Sequence, residues 1–316
     1  MKPLPGLTEL RQGGKRALSR MLTRLETEAQ TDEISAFLDH ACANAMGRVL
    51  GLTGPPGVGK STLTDALIRH FRATDLSVAV LAIDPSSQFT GGALLGDRTR
   101  LQTDPGDQDV FVRSMAARDR LGGLSDHAIA AIALLRSVVD RVIVESVGIG
   151  QSEGDLVQAC DTLVLCIQPG SGDSLQFMKA GIMELPDVVA VTKADMGAAA
   201  RRAASDVAGA LSLSRETQSH WQVPVCEISA RTGEGLDDLA EAIAKHGDFL
   251  EASGELQSQR AEQQRHWLRD MVRADFGTAG LAVVGEMLET DTGERPFSCF
   301  QGISKDLKRR LEDGQA

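Results

Sequence analysis

RVLGLTGPPGVGKSTLTDALIRHF, residues 48–71, is the stretch from which the rest of the chain is read. Residues 54–61, GPPGVGKS, fit G-x-x-x-x-G-K-[ST] at every position. An apolar run ending at Thr53 precedes them and a helical pattern follows. Strand, loop and helix in that order are the setting in which such a loop holds phosphate. The loop Gly54, Pro55, Pro56, Gly57, Val58, Gly59 can turn backbone N–H groups inward around phosphate oxygens, and the helix after it offers its positive N-terminus. Lys60 then reaches the β- and γ-phosphates, the Ser61 hydroxyl ligates Mg²⁺, and Thr62 completes the phosphate-side set.

Working outward, residues 48–250 alternate short apolar runs with helical patterns. The runs are Val49–Thr53, Val78–Ile83, Arg141–Glu145, Leu163–Ile167, Val188–Thr192 and Val225–Ser229. Continuous apolar runs suit strands buried on both faces, and their alternation with helices predicts an α/β fold with a mostly parallel sheet flanked by helices. Helices are expected over 60–72, 125–139, 174–184, 198–213 and 235–247. Residues 1–47 form an N-terminal helical extension in which Leu18, Met21, Leu22 and Leu25 recur at helical spacing. Residues 251–316 form a C-terminal helical arm with a stripe of Trp267, Leu268, Met271, Val272 and Phe276, and Gly277 stands where a cap would fall. That stripe has to dock on its own chain or on another subunit.

Composition excludes more than it selects. A net charge of −11 lacks the electrostatic footprint of a general nucleic-acid or membrane-surface binder, so neither partner is expected. The basic run at 305–310, KDLKRR, reads as a solvated helix face. Five cysteines at 42, 160, 166, 226 and 299 show no C-x-x-C spacing, which implies neither a disulfide framework nor a zinc site. Four of them read as buried thiols, and the reducing cytoplasm is the expected compartment. No apolar run is long enough to span a bilayer.

A metal beside the phosphates needs carboxylates. VIVESVG at 142–148 puts Glu145 at a strand end and Gly148 three residues on, like the D-x-x-G element of GTPases, with Glu for Asp. The extra methylene places Glu145 at the metal or one water beyond it, and Gly148 at the γ-phosphate. Asp84, in LAIDPSS, ends another strand and could hold metal or orient the attacking water. Asp97, in GGALLGDRTR, lies in a Gly-rich loop where a mobile switch would sit. Either Asp could instead be a turn former. The catalytic set is thus Lys60, Asp84, Asp97 and Glu145, and the metal set Ser61, Asp84, Asp97 and Glu145.

The base is read further along. VVAVTKAD at 188–195 resembles N-K-x-D, with Thr192 for Asn, Lys193 in place and Asp195 as the carboxylate. That carboxylate can accept from guanine N1–H and N2–H₂, a donor pair adenine lacks, while the Lys stem packs on the purine. The Thr exchange touches the bond that Asn would make to the phosphate loop. ISARTGEG at 228–235 resembles the S-A-x loop, with Ser229, Ala230 and Arg231 around guanine O6. Together the two motifs point to GTP and GDP.

The blocks GLTGPPGVGKST, VAVLAIDPSSQFTGGALLGDRTR, VIVESVGIGQSEGDLV, QPGSGDSLQFMKAGIMELPDVVAVTKAD and ISARTGEGL, in that order, resemble the methylmalonyl-CoA mutase-associated GTPases of the MeaB and MMAA type, in the SIMIBI branch of P-loop proteins. The likeness covers roughly residues 6–276. It implies a GTPase that serves a B12-dependent acyl-CoA mutase, gating adenosylcobalamin loading and protecting the working enzyme. It also implies a homodimer joined through the C-terminal helices, which would give the 264–276 stripe its partner. Adenosylcobalamin would be met only through the mutase, since no D-x-H-x-x-G cobalamin signature occurs. A third family switch maps onto 168–181, with Asp173, Gln176 and Lys179 as partner-sensing candidates. Ser174 and Ala180 depart there from the commoner pattern. Two competing readings are a metallochaperone GTPase, which usually carries Cys or His clusters, and a small-molecule P-loop kinase, which would favour adenine.

Overall fold

A computed structural model of the chain describes residues 3–28, 31–85, 101, 103–104, 106–117, 124–146, 152–170, 182–214, 221–290 and 295–312. It divides into two compact units, one of residues 48–125 and 140–254, the other of residues 1–47, 126–139 and 255–316.

The first unit is built on seven strands: β1 Arg48–Thr53, β2 Val78–Pro85, β3 Val110–Ala117, β4 Arg141–Glu145, β5 Thr162–Ile167, β6 Val188–Val191 and β7 Val225–Glu227. Their order is β3-β2-β4-β1-β5-β6-β7 and every neighbouring pair is parallel. Six strands lie where the apolar runs predict them. The seventh, β3, is an edge strand whose middle carries Arg113 and Ser114, and an edge does not demand the unbroken apolar run that marks a central strand. Central β5 shows the contrast, buried at all six positions.

Helices α4 Lys60–Ala73, α6 Ser152–Val157, α7 Ala198–Ser214 and α8 Leu236–Ser253 belong to this unit. Leu63, Leu67 and Phe71 of α4 pack in one apolar cluster with Leu50 and Leu52 of β1, Ile143 of β4, and Leu239 and Ile243 of α8. Burying one such side chain contributes roughly 1.5–3 kcal/mol, which fixes α4 against the sheet and hence the loop that precedes it. The far end of α8 is clamped by Arg48, which donates to Asp248 Oδ1 at 2.7 Å and Glu251 Oε1 at 3.1 Å. This clamp lies at the opposite end of β1 from the phosphate loop. Helix α8 runs six residues beyond the expected 247 and stops at Gly254.

The second unit is helical: α1 Leu7–Gln12, α2 Gly14–Thr27, α3 Asp32–Ala43, α5 Asp126–Leu135, α9 Glu255–Thr290 and α10 Pro296–Glu312. Leu18, Met21, Leu22 and Leu25 of α2 are all buried, as their spacing predicts. Asp39 of α3 accepts from the Phe297 and Ser298 backbone N–H groups, both at 3.0 Å, and so caps the first turn of α10. Helix α9 is broken at Gly277, with φ 66° and ψ −165°, and resumes beyond it. Trp267, Leu268, Met271 and Val272 are buried within this chain, and Phe276 is half-buried. The fully buried Arg136 guanidinium lies 5.2 Å from the Trp267 ring centre, a cation–π contact that a strand-and-helix pattern does not announce.

Three thiols, Cys42, Cys160 and Cys166, are buried, and Cys226 and Cys299 are half-buried, one fewer buried than expected. Among the described residues no helix is long and apolar enough to cross a membrane.

Candidate nucleotide-binding site

The phosphate loop leaves the carboxyl end of β1, a central strand whose neighbours β4 and β5 connect to opposite halves of the sheet. In open parallel sheets, ligands bind at such a reversal. Gly54, at φ 139°, is held where a Cβ would stand 2.3 Å from the Cys166 carbonyl oxygen. Both the backbone angle and the close approach exclude a side chain there. Gly59, at φ 103°, is the residue before α4, and a Cβ on it would meet nothing within 4 Å. Its side chain is missing for conformational reasons, and open space lies beside the helix N-terminus where an anion is stabilised.

Lys60 is 7 % exposed, and its ammonium donates to the Gly54 carbonyl at 2.8 Å and the Pro55 carbonyl at 3.2 Å. The ammonium is therefore already inside the loop it would serve. Ser61 Oγ donates to Glu145 Oε1 at 2.8 Å, and Thr64 Oγ1 lies 3.0 Å from Glu145 Oε2. Glu145 ends β4, paired in register with Leu52 of β1 and Ala82 of β2, so the sheet itself brings this carboxylate over the start of α4. A hydroxyl and a carboxylate side by side are hard oxygen donors of the kind Mg²⁺ takes, and the pair fits that ion. Beneath them the Cys166 thiol is pushed up to about 12, chiefly by burial, with Lys60 lowering it and Glu145 raising it. It stays neutral at physiological pH.

On the base side, Thr192 and Lys193 follow β6. Thr192 Oγ1 donates to the Val58 carbonyl of the phosphate loop at 2.8 Å and lies 3.2 Å from the Ile167 carbonyl. The hydroxyl thus makes the loop bond that the Thr-for-Asn exchange put at issue. Lys193 Nζ donates to the Gly57 carbonyl at 3.2 Å and to Gln168 Oε1. Its backbone sits at φ 57° and ψ 42°, a left-handed conformation uncommon outside glycine, and costs of order 1 kcal/mol or more. Asp195 accepts from Ser229 Oγ at 3.0 Å and from Arg231 at 2.8 Å. The Ser229 bond, with Arg231 beside it, holds the Asp195 carboxyl below its ordinary range. The Ala194 N–H donates to the Ile228 carbonyl at 3.0 Å, which ties the two base-side loops together.

Lys60, Ser61 and Glu145 are therefore brought together, as are Asp195, Ser229 and Arg231. The backbone of Asp84 lies one residue before the end of β2 and two past Ala82, at the same carboxyl end of the sheet as Glu145, while its side chain lies outside the described residues. Asp97, Gly148, Asp173, Gln176 and Lys179 lie outside them as well. Sequence reading missed Thr64, which falls inside no motif, and it placed Gln168 at the start of the third switch without naming it as a partner of Lys193. The one available signal for Thr64 was its helical spacing from Ser61.

A parallel sheet with this loop after its central strand and a carboxylate on the adjoining strand defines a P-loop nucleotide-binding protein. The matching family model, methylmalonyl Co-A mutase-associated GTPase MeaB, spans residues 18–282, and the chain belongs to that family. A protein of Pyrococcus horikoshii provisionally named a GTPase is 40 % identical over 317 residues, covering 97 % of this chain and 95 % of its own. The mouse protein named methylmalonic aciduria type A homolog, mitochondrial, is 36 % identical over 227 residues, covering 71 % of this chain and 55 % of its own. Among solved structures, one described as an LAO/AO transport system kinase superposes with a TM-score of 0.66 at 28 % identity, over 93 % of this chain and 95 % of that one.

Proposed function

We propose that this protein hydrolyses GTP to GDP and phosphate, and that it uses the cycle to gate adenosylcobalamin loading into a B12-dependent acyl-CoA mutase of the methylmalonyl-CoA type and to protect that enzyme. The observation that carries the nucleotide half is the joined geometry of the site. The Asp195 carboxylate, oriented by Ser229, is linked through Thr192 and Lys193 to the loop that holds phosphate. The family membership supports the mutase as partner.

In this reading Asp195 accepts the guanine N1–H and N2–H₂ donors, and its depressed proton affinity keeps it ionised for that task. The loop N–H groups and the N-terminus of α4 bind the phosphates. Lys60 moves from the Gly54 and Pro55 carbonyls to the β- and γ-phosphate oxygens, where its charge offsets what develops as the terminal phosphoryl departs. Ser61 and Glu145 would hold Mg²⁺, which would supply further neutralisation of the phosphate oxygens. Asp84 and Asp97 are assigned to the metal or to the attacking water, and Gly148 to the γ-phosphate. Asp173, Gln176 and Lys179 are assigned to sensing the mutase. A homodimer built through the C-terminal helices, and a cytoplasmic location, complete the proposal.

The test is GTP hydrolysis by the purified protein, alone and with methylmalonyl-CoA mutase, with ATP as control. Slow, guanine-specific turnover that the mutase changes is the expected result. Turnover indifferent to that mutase would leave a GTPase with another partner, and equal use of ATP would defeat the base assignment and favour a kinase.

A further inference from the structure

We propose that Thr64 is a positioning residue for the metal-side carboxylate: its hydroxyl fixes Glu145 Oε2 so that Oε1 is presented to Ser61 and to the magnesium site. The inference rests on the Mg²⁺–nucleotide reading above. Ser61 and Thr64 are three apart on α4 and so share a face of the helix. Glu145 lies along that face with one oxygen on each hydroxyl, at 2.8 Å and 3.0 Å. Thr64 is fully buried and Glu145 is 9 % exposed, so this is an arrangement inside the protein, where a hydrogen bond to an ionised group is strong.

Geometry explains why a second anchor is useful here. A glutamate has one more rotatable bond than an aspartate, and from the end of β4 its carboxylate overshoots the position that the shorter side chain would take. Free rotation of that extra bond would scatter Oε1 away from Ser61. Pinning Oε2 to the next turn of α4 removes that freedom. A helical threonine ordinarily donates back to a carbonyl of the preceding turn, and Thr64 Oγ1 does lie 3.1 Å from the Lys60 carbonyl. The single hydroxyl proton has to choose, and an ionised carboxylate is the stronger acceptor. Thr64 thus couples the helix turn carrying Lys60 and Ser61 to the strand end carrying Glu145.

The measurement is binding of a fluorescent GDP analogue, titrated with Mg²⁺ from an EDTA baseline, for the full-length protein and its variants. Thr64→Val keeps the shape and removes the hydroxyl, whereas Thr64→Ser keeps the hydroxyl. In EDTA, Thr64→Val should bind within about twofold of the unaltered protein. It should need on the order of tenfold more Mg²⁺ for half of the Mg²⁺-dependent tightening, the size of one charge-assisted hydrogen bond. Thr64→Ser should restore the original Mg²⁺ requirement. In a Glu145→Asp background, whose carboxylate is drawn back from Thr64, the valine exchange should change nothing further. An unshifted Mg²⁺ curve for Thr64→Val, or equal impairment in Thr64→Ser, overturns the proposal. Failure of the unaltered protein to bind the GDP analogue would instead overturn the nucleotide reading, and Thr64 with it. Thermal unfolding controls for the fold, and Thr64→Ala, judged by the same criteria, replaces valine if valine prevents folding.

Discussion

Lys60 and Glu145 are 7 % and 9 % exposed, whereas the Asp195 side chain and its Arg231 partner are 31 % and 77 % exposed. The phosphate side is made of backbone and of buried side chains that hold one another, and it reads no feature that distinguishes one nucleotide from another. The base side is a single accessible carboxylate on two braced loops. In the proposed function, affinity and chemistry depend on the closed half, and selectivity on the open half. The closed half should respond to substitution almost as a unit, while the open half should respond one hydrogen bond at a time.

Four experiments would break or sharpen that contrast. Lys60→Ala should reduce single-turnover GTP hydrolysis by about a thousandfold or more, since one preorganised charge at a reacting phosphate is worth at least that of an oxyanion-hole donor. Substantial retained turnover would remove the phosphate assignment. High pH tests the same half through stability. The folded Cys166 thiol titrates at about 12 against an ordinary 9.0, so its contribution is intact below pH 9 and is lost as pH rises from there toward 12. Cys160, raised in the same direction by burial, adds to the fall. For Cys166 the loss approaches about 4 kcal/mol at the upper limit. Denaturant unfolding of Cys166→Ala should show a shallower decline over that window, and the chain has no Tyr to titrate alongside it.

In the open half, Asp195→Asn should weaken GTP binding by about a hundredfold, since two hydrogen bonds to a charged acceptor are at stake. It should also favour xanthine nucleotides, whose 2-carbonyl accepts from the new amide where guanine carries an amino group. Competition between GTP and XTP reads both effects at once. Arg231→Ala should move GDP affinity by no more than about twofold, because an ion pair this exposed contributes little. A large effect from Arg231 would mean that the base side is not the simple single-carboxylate reader described above.

What sequence reading reached follows the same divide between local and long-range order. The loop at 54–61, its strand and its helix were legible because eight consecutive residues carry the whole pattern. Five strands were legible because burial on both faces leaves a continuous apolar run, and edge strand β7 was legible although it is half-buried at all three positions. Edge strand β3 was not, since Arg113 and Ser114 interrupt the run that a central strand would need. The short helix Ser152–Val157 is absent from the expected helices, having too few residues to show a period. Asp195 and Ser229 were both named, yet the bond between them is a contact across 34 positions that only the parallel register of β6 and β7 creates. Thr64 shows the limit most clearly. Nothing in TLTDAL marks the fifth residue of α4 as the neighbour of a glutamate 81 positions away.

Thr192 and Lys193 place both of their polar ends on carbonyls of residues 57 and 58, so the base reader is fastened to the phosphate cradle rather than merely near it. The two halves of a nucleotide should then not bind as independent fragments. Whichever fragment arrives first stiffens the loop on which the other's contacts depend, and the second finds part of the ordering already done. Guanosine and pyrophosphate, measured separately, should bind more weakly than the affinity of GDP would suggest on a simple additive split. Because joining the fragments itself saves entropy, the coupling carried by one hydroxyl and one ammonium is the part of that excess that Thr192→Val removes.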